Sequence, residues 1–370
     1  MKKTTVIATG VAVIAALTGC AANEVATDQS TPPPASASHT ATRLTGTIDA
    51  GGSSAQTAAH EAWRAGFQAS QPEVTVNYDP TGSGTGRQNF TDGGYVLAGT
   101  DEPLAIDHVA GPFAACAPGS ALVEIPAYVS AIAIGFNLDG VASLTLDATL
   151  IARIFSGEIT RWNDPAIVAA NPQVGLPDLG ITAIHRSDKS GTTHNFTDYL
   201  AQAAGSAWPY PVAQTWPSQL SGEAAEKTQG VRQAIIATPG AIGYLDASQA
   251  QGMGSVVVGA GEKAVAHSAQ AAAAAVGASP LEQGRSTTDV VVALNRTLTD
   301  GQSYPIVLVS YLVACGTYAD PDVGQLVKSY LGHVVSEAGQ QEAAKHAGSS
   351  PITADPTLSG LVAKAVAGIH

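Results

Sequence analysis

The run His185-Arg-Ser-Asp-Lys-Ser-Gly-Thr-Thr-His-Asn-Phe-Thr-Asp-Tyr-Leu200 carries the residue types of an anion site. An apolar stretch with strand character, Gly180 to Ile184, precedes it, and Phe196, Tyr199 and Leu200 follow at helical spacing. Between them stand Ser190, Gly191, Thr192 and Thr193, a turn of glycine and small hydroxyls. A strand feeding such a turn and then a helix leaves backbone N–H groups unpaired at the helix start, where the helix dipole also favours an anion. Arg186 adds a planar fork of donors that suits the oxygens of the same anion. Taken alone, the run is equally compatible with an ordinary N-cap by Ser190 or Thr192 beside a surface arginine.

Two further stretches repeat the order strand, small-residue turn, helix. Asp49-Ala-Gly-Gly-Ser-Ser-Ala-Gln precedes a helical run through Trp63 and Phe67, and Thr81-Gly-Ser-Gly-Thr-Gly-Arg-Gln follows the strand Val74 to Tyr78. Leu97-Ala-Gly-Thr-Asp-Glu-Pro-Leu104 then reads as a strand ending in an acidic turn. Hydroxyls and N–H groups bind anion oxygens. A lone carboxylate repels a fully ionised anion but accepts a hydrogen bond from one that keeps a proton. Phosphate keeps one near neutral pH; sulfate does not.

In this order the motifs resemble the phosphate-binding receptor of the bacterial phosphate ABC transporter. The resemblance extends to Phe155-Ser-Gly-Glu-Ile-Thr-Arg-Trp-Asn-Asp-Pro165, Thr238-Pro-Gly-Ala-Ile-Gly-Tyr244 and Glu337-Ala-Gly-Gln-Gln341. It implies a two-lobed periplasmic-binding-protein fold of the type II-like kind: α/β, with two mainly parallel sheets flanked by helices and the ligand in the cleft between lobes. It implies Ser53 and Ser54, Ser83, Asp101, Arg186, Ser190, Gly191 and Thr192 as phosphate-binding residues, with Asp101 accepting the phosphate proton. Asp188 is expected to orient Arg186. A serine at position 54 departs from the family, which often has an aromatic there, so whether its N–H or its hydroxyl contributes stays open. Thr228-Gln-Gly-Val231 changes a polar pair of the family and is not placed at the site.

At the start of the chain Lys2 and Lys3 precede an uncharged apolar run, Val6 to Leu17, too short to span a membrane and suited to a secretory signal. Leu17-Thr-Gly-Cys20 ends it as a lipobox, so residues 1–19 are read as a signal and Cys20 as the site of a lipid anchor on the outer face of a membrane. Residues 20–43, with Thr31-Pro-Pro-Pro34, read as a solvated tether. The folded remainder is long enough for two lobes. The resemblance implies residues 44–128 with 308–370 as lobe one and 129–307 as lobe two, joined by the long strand-like runs Val123 to Phe136 and Tyr304 to Val313, which allows hinged closure.

The formal charge of −13 becomes −15 once a signal carrying Lys2 and Lys3 is removed, which argues against a nucleic-acid partner. Such a chain captures an anion through local donors rather than its overall field. With Cys20 lipidated, Cys116 and Cys315 remain and are expected to pair in an oxidising compartment. The nine histidines show no metal-ligand spacing, and no cofactor is expected. An enzyme is the rival class, but no G-x-S-x-G elbow or tethered base accompanies Ser83 or Ser190. A receptor for sulfate or arsenate, or a phosphate-handling hydrolase, stays as the alternative. The expected partners are inorganic phosphate and the permease subunits of an importer, with the receptor itself a monomer.

Beyond the site, strands are expected at Thr75 to Asp79, Ala121 to Asn137, Gly180 to Ile184, Ala241 to Leu245 and Pro305 to Ala314. Helices are expected at Thr57 to Ala69, Asp147 to Phe155, Asn195 to Ala204, Glu226 to Thr238 and Gln270 to Ala275. Trp162, Tyr128 and Tyr311 read as packing residues.

Overall fold

Glycine-rich strand ends and capped helix starts set the rhythm of the chain, which a computed structural model describes over residues 43–259 and 263–370. The signal, Cys20 and nearly all of the tether lie outside those residues. The elements begin β1 (Gly46–Gly52), α1 (Thr57–Ser70), β2 (Val74–Asp79), α2 (Ser83–Asp92), β3 (Leu97–Thr100) and β4 (Leu122–Phe136). The middle of the chain gives β5 (Ser143–Leu146), α3 (Ala148–Phe155), α4 (Pro165–Ala170), β6 (Thr182–Arg186), α5 (Gly191–Ala203), β7 (Glu223–Ala225), α6 (Lys227–Ala237), β8 (Ala241–Asp246), β9 (Gly254–Val258) and α7 (Ala269–Gly277). It closes with β10 (Val307–Cys315), α8 (Pro321–Val334), α9 (Glu337–Ala347) and α10 (Pro356–Ala367). No helix among the described residues is long and apolar enough to cross a membrane.

The strands run in the order β2-β1-β3-β10-β4-β8-β6-β7, with β9 against β4 and β5 against β9. Strand β4 is the pivot of this order. Residues Leu122 to Ala131 pair with β10, whereas Ile132 to Phe136 pair with β8. All fifteen of its residues are buried, because side chains on both faces and partners on both edges exclude water. The expected α/β fold is present, with one difference. Pairings are parallel toward both outer ends but antiparallel wherever β4 or β10 takes part, so the sheets are mixed. Those two strands carry the chain between halves, and local spacing does not encode their direction.

The first half is sealed by aromatics of α1. Trp63 and Phe67 are buried, and Trp63 Nε1 donates to the Gly339 carbonyl of α9 at 2.9 Å. The second half has its own aromatic core, where Phe196 stacks on Tyr244 at 4.3 Å and Phe155 meets Phe196 edge-on at 4.9 Å. Trp162 is buried and donates to the Gly240 carbonyl, and Tyr128 and Tyr311 are likewise buried, as packing residues should be. Helices α8, α9 and α10 fall outside the expected elements. Their starts carry readable caps nonetheless: Asp320 and Asp355, each followed by proline, and Ser336.

Cys116 and Cys315 form the expected disulfide, with Cα atoms 5.3 Å apart. Cys315 lies opposite Leu122, at the other end of the β4–β10 ladder from Val307 and Ala131, so the bond staples the loop before β4 to the end of β10. Replacing both cysteines with alanine should lower stability by about 2–4 kcal/mol. Urea unfolding measures this, and an unchanged midpoint would remove the bond from the stability account.

Asp246 sits where β8 meets the crossover, paired with Ile132. Its Oδ1 accepts from Tyr128 Oη and the Ser248 N–H, each at 3.0 Å, whereas Oδ2 has no partner among the described residues. Burial pushes its carboxyl up to about 6. The folded state therefore binds this proton more tightly than the unfolded chain. The resulting stability is present below pH 4 and is lost as pH rises through 6. Asp246→Asn removes the buried charge while leaving an acceptor for Tyr128. It should gain about 2–3 kcal/mol at pH 7.5 and little at pH 4. Thermal melts at the two pH values report the difference, and an equal shift at both would contradict it.

Candidate anion-binding site

Strand β1 ends at Gly52 with φ of +134°, a conformation that suits glycine, and a Cβ there would lie 2.1 Å from the Gly99 carbonyl oxygen. This close approach lets Ser53 N–H bond to Gly99 at 2.8 Å and sets Ser53 beside the end of β3, where Asp101 follows. The Gly82 N–H bonds to the Gly52 carbonyl at 2.7 Å, which brings the start of α2 to the same point. From the second half comes the first turn of α5. A Cβ on Gly191 would stand 2.6 Å from Asp101 Cβ and from Ser83 Oγ, so only glycine lets the two halves meet here.

Asp101 is 3% exposed and is the centre of this convergence. Its Oδ1 accepts from Ser53 Oγ and Ser310 Oγ, both at 2.5 Å. Its Oδ2 receives longer bonds, from Ser83 Oγ at 3.3 Å and Thr192 Oγ1 at 3.4 Å. Burial raises its carboxyl above the ordinary aspartate value. The hydroxyls of Ser310 and Ser53, then the Arg186 charge, pull it part of the way back.

Arg186, at the end of β6, is 2% exposed. Its Nε and Nη2 hold Asp188 Oδ1 and Oδ2 at 2.7 and 2.5 Å, the orienting contact expected of Asp188. Burial alone would raise Asp188, but the paired bonds and charge of Arg186, with the Lys227 N–H at 3.0 Å, hold it below the usual value. The Nε edge of the fork is thus committed. Nη1, which has no protein acceptor among the described residues, and the second Nη2 hydrogen are the donors left for a ligand. Ser190 caps α5 by accepting from the Thr193 N–H at 3.1 Å. That bond draws Gly191, Thr192 and Thr193 into the helix, which therefore starts four residues before the expected Asn195.

Ser54 faces elsewhere. Its Oγ lies 3.0 Å from Thr228 Oγ1 and accepts from the Thr228 N–H at 3.1 Å, so the polar change at Thr228 does reach the cradle's edge. Ser310 and Asn195 were not anticipated. Asn195 donates to the Asp101 carbonyl at 2.6 Å and accepts from Arg296 Nη2, tying α5 to the turn after β3. A lone serine in the otherwise apolar run Val307–Cys315 was the available signal for Ser310. A cavity of about 580 Å³ is lined by Gly84, Arg87, Glu102, His108 and Lys189. It includes the sequence neighbours of Ser83 and Asp101 but not the cradle residues, which are buried beside it.

The family model described as a PBP superfamily domain matches residues 35–338. Phosphate-binding protein PstS 3 of Mycobacterium tuberculosis (strain ATCC 25618 / H37Rv) is 36% identical over 299 residues, covering 80% of each chain. Phosphate-binding protein PstS2 of Mycobacterium bovis (strain BCG / Pasteur 1173P2) is 34% identical over 310 residues, 82% of this chain and 83% of that one. Among solved structures, the high-affinity periplasmic phosphate-binding protein PfluDING, bound with phosphate, has a TM-score of 0.69 at 22% identity over 86% of this chain and 93% of its own. The phosphate binding protein of Stenotrophomonas maltophilia has a TM-score of 0.62 at 19% identity over 86% and 93%. At those identities the two structures speak for the fold.

Proposed function

The chain belongs to the PstS family of phosphate-binding proteins within the PBP superfamily, and from that premise we propose that it is an extracytoplasmic receptor that binds inorganic phosphate and delivers it to the permease of an ABC importer. One observation carries the assignment to Asp101. A single buried carboxylate collects hydroxyls from three helix-start turns and from β10, under the charge of a buried arginine. Donors surrounding one acceptor suit an anion that still carries one proton.

In this reading Ser83, Ser190 and Thr192 offer hydroxyls, Ser53 offers its hydroxyl by turning it from Asp101, and Gly191 offers its N–H at the positive end of α5. Arg186 supplies charge, and Ser54 contributes through its backbone, since its hydroxyl is held by Thr228. The long contacts of Ser83 and Thr192 to Oδ2 are the ones that the proton of hydrogen phosphate replaces. Lobe one, residues 44–128 with 308–370, and lobe two, 129–307, close on the ligand by flexing at β4. The chain acts as a receptor and not as an enzyme. Calorimetry with phosphate, sulfate and arsenate tests the reading: tight phosphate binding with no sulfate heat is expected, and no phosphate binding would end it.

Localisation follows from the start of the chain. Cys20 is the proposed lipid attachment site, holding the receptor to the outer face of the cell membrane through the tether. Cys20→Ala should move the protein from the membrane fraction to the soluble one. A wild-type mature N-terminus that mass spectrometry finds far from residue 20, without lipid, would contradict the anchor.

A further inference from the structure

The hydrogen bonds continue beyond Asp101. Ser310 Oγ, which donates to Asp101 Oδ1, receives an N–H from Gln56 Nε2 at 2.6 Å. The same nitrogen donates to the Tyr311 carbonyl at 3.0 Å. A carbonyl only accepts, so the orientation of this amide is fixed. Gln56 Oε1 is therefore an acceptor, and its partner, His60 Nε2 at 2.9 Å, carries the proton. Burial and then the Arg64 charge push the His60 imidazole well below its ordinary value, so the ring is neutral. Its bare Nδ1 accepts from Tyr330 Oη at 3.0 Å. One hydrogen of each donor in the chain Tyr330–His60–Gln56–Ser310 points toward Asp101, the second Gln56 hydrogen goes to the Tyr311 carbonyl, Ser310 Oγ also lies 3.4 Å from the Thr100 carbonyl oxygen, and all four residues are buried.

The other groups around this chain do not reverse it. Arg186 and Tyr78 are the charged or titratable partners of Asp101, and Arg64, Tyr78 and Tyr330 are those of His60. Tyr78 stacks on the imidazole with ring centres 3.5 Å apart and donates its own hydroxyl to the Ser53 carbonyl, so it supplies neither His60 nitrogen. Ser53 also reaches Oδ1, but its hydroxyl belongs to a turn that faces the ligand, whereas Gln56 holds Ser310 from behind.

We propose that Ser310 is a positioning residue for Asp101: the chain from Tyr330 leaves Ser310 Oγ its own hydrogen to donate, and Oδ1 is much the nearer of its two acceptors, which keeps the carboxylate an acceptor and leaves Oδ2 to take the ligand proton. The proposal rests on Asp101 being that proton's acceptor. Its consequence concerns selectivity against pH. A protonated Asp101 becomes a donor and welcomes sulfate; the Ser310 donor delays that change to lower pH.

The test uses Ser310→Ala, Ser310→Thr and Gln56→Met in the full soluble domain. Sulfate competition against labelled phosphate is measured from pH 4 to 8, and the Asp101 carboxyl is titrated by carbon-13 NMR. In Ser310→Ala the carboxyl titration and the onset of sulfate binding should both rise by about one to two pH units, the worth of a lost hydrogen bond to a charged group. Gln56→Met should shift both the same way by less, and Ser310→Thr should restore the wild-type profile. Gln56→Met keeps the test alive if Ser310→Ala does not fold. Unmoved profiles in folded variants overturn the proposal, as does a carboxyl shift without a change in sulfate competition. If wild type fails to prefer phosphate at pH 7, the receptor reading falls first, and this proposal falls with it.

Discussion

Asp101→Asn should bind sulfate almost as readily as phosphate, where the wild type should reject sulfate by roughly 10⁴–10⁵. Both oxygens of Asp101 face hydroxyl donors inside a buried cradle. In the proposed reading hydrogen phosphate brings its own proton to that carboxylate. Sulfate would set an oxygen against it with no proton between them, in a buried place where screening is weak. An unpaired buried polar group costs about 1–3 kcal/mol, and a charged one more. Asparagine replaces an acceptor by an amide that also donates, so the penalty on sulfate disappears, while phosphate loses the bond its proton made. The measurement is competition of sulfate against labelled phosphate in both proteins. A wild type that holds the two anions equally would refute the acceptor role and reopen the choice of ligand.

Arg186→Ala should weaken phosphate binding by about 2–5 kcal/mol, the scale for truncating one member of a buried charge pair. Part of the loss comes from the anion, which forfeits charge-assisted bonds from Nη1 and Nη2. Part comes from Asp188, left half-buried beside the site and repelling the ligand once its partner is gone. Arg186→Lys should recover only a fraction, because an ammonium cannot hold Asp188 through two bonds and face the anion as well. Calorimetry and circular dichroism together decide the matter. Unchanged affinity with an intact spectrum would place the anion elsewhere.

The site was legible where it is built from local grammar. Ser53, Ser83, Asp101, Arg186 and Ser190 to Thr192 each sit where a strand gives way to a small-residue turn, and that pattern lies in neighbouring residues. Ser310 was not legible, because one hydroxyl among valines and leucines looks like a tolerated polar atom. Its contact with Asp101 spans 209 residues, a distance that no local spacing encodes. Thr228 stayed hidden for the same reason: its partner Ser54 lies 174 residues away. In the fold, helix and strand character was readable from periodicity. Strand direction was not, since it depends on where β4 and β10 carry the chain across. The early start of α5 followed from one side-chain bond at Ser190, which outweighs the weak helix propensity of Gly191, Thr192 and Thr193.

The order in which the sheet around β1, β3 and β10 is assembled has a consequence for how the protein is made. Strand β1 is flanked by β2 and β3, all early in the chain, but the far edge of β3 is covered only by β10. Trp63 and His60 on α1 find their partners in Gly339 and Tyr330, and the Tyr318 N–H closes on the carbonyl of His370. The early strands and helix of the fold are thus completed by residues roughly 200–300 positions later in the chain. A chain delivered N-terminus first carries an open strand edge and an uncovered aromatic face until its final helices emerge. Holding that nascent half away from its neighbours, by a chaperone or by rapid release, is a requirement imposed by the topology, independent of any ligand.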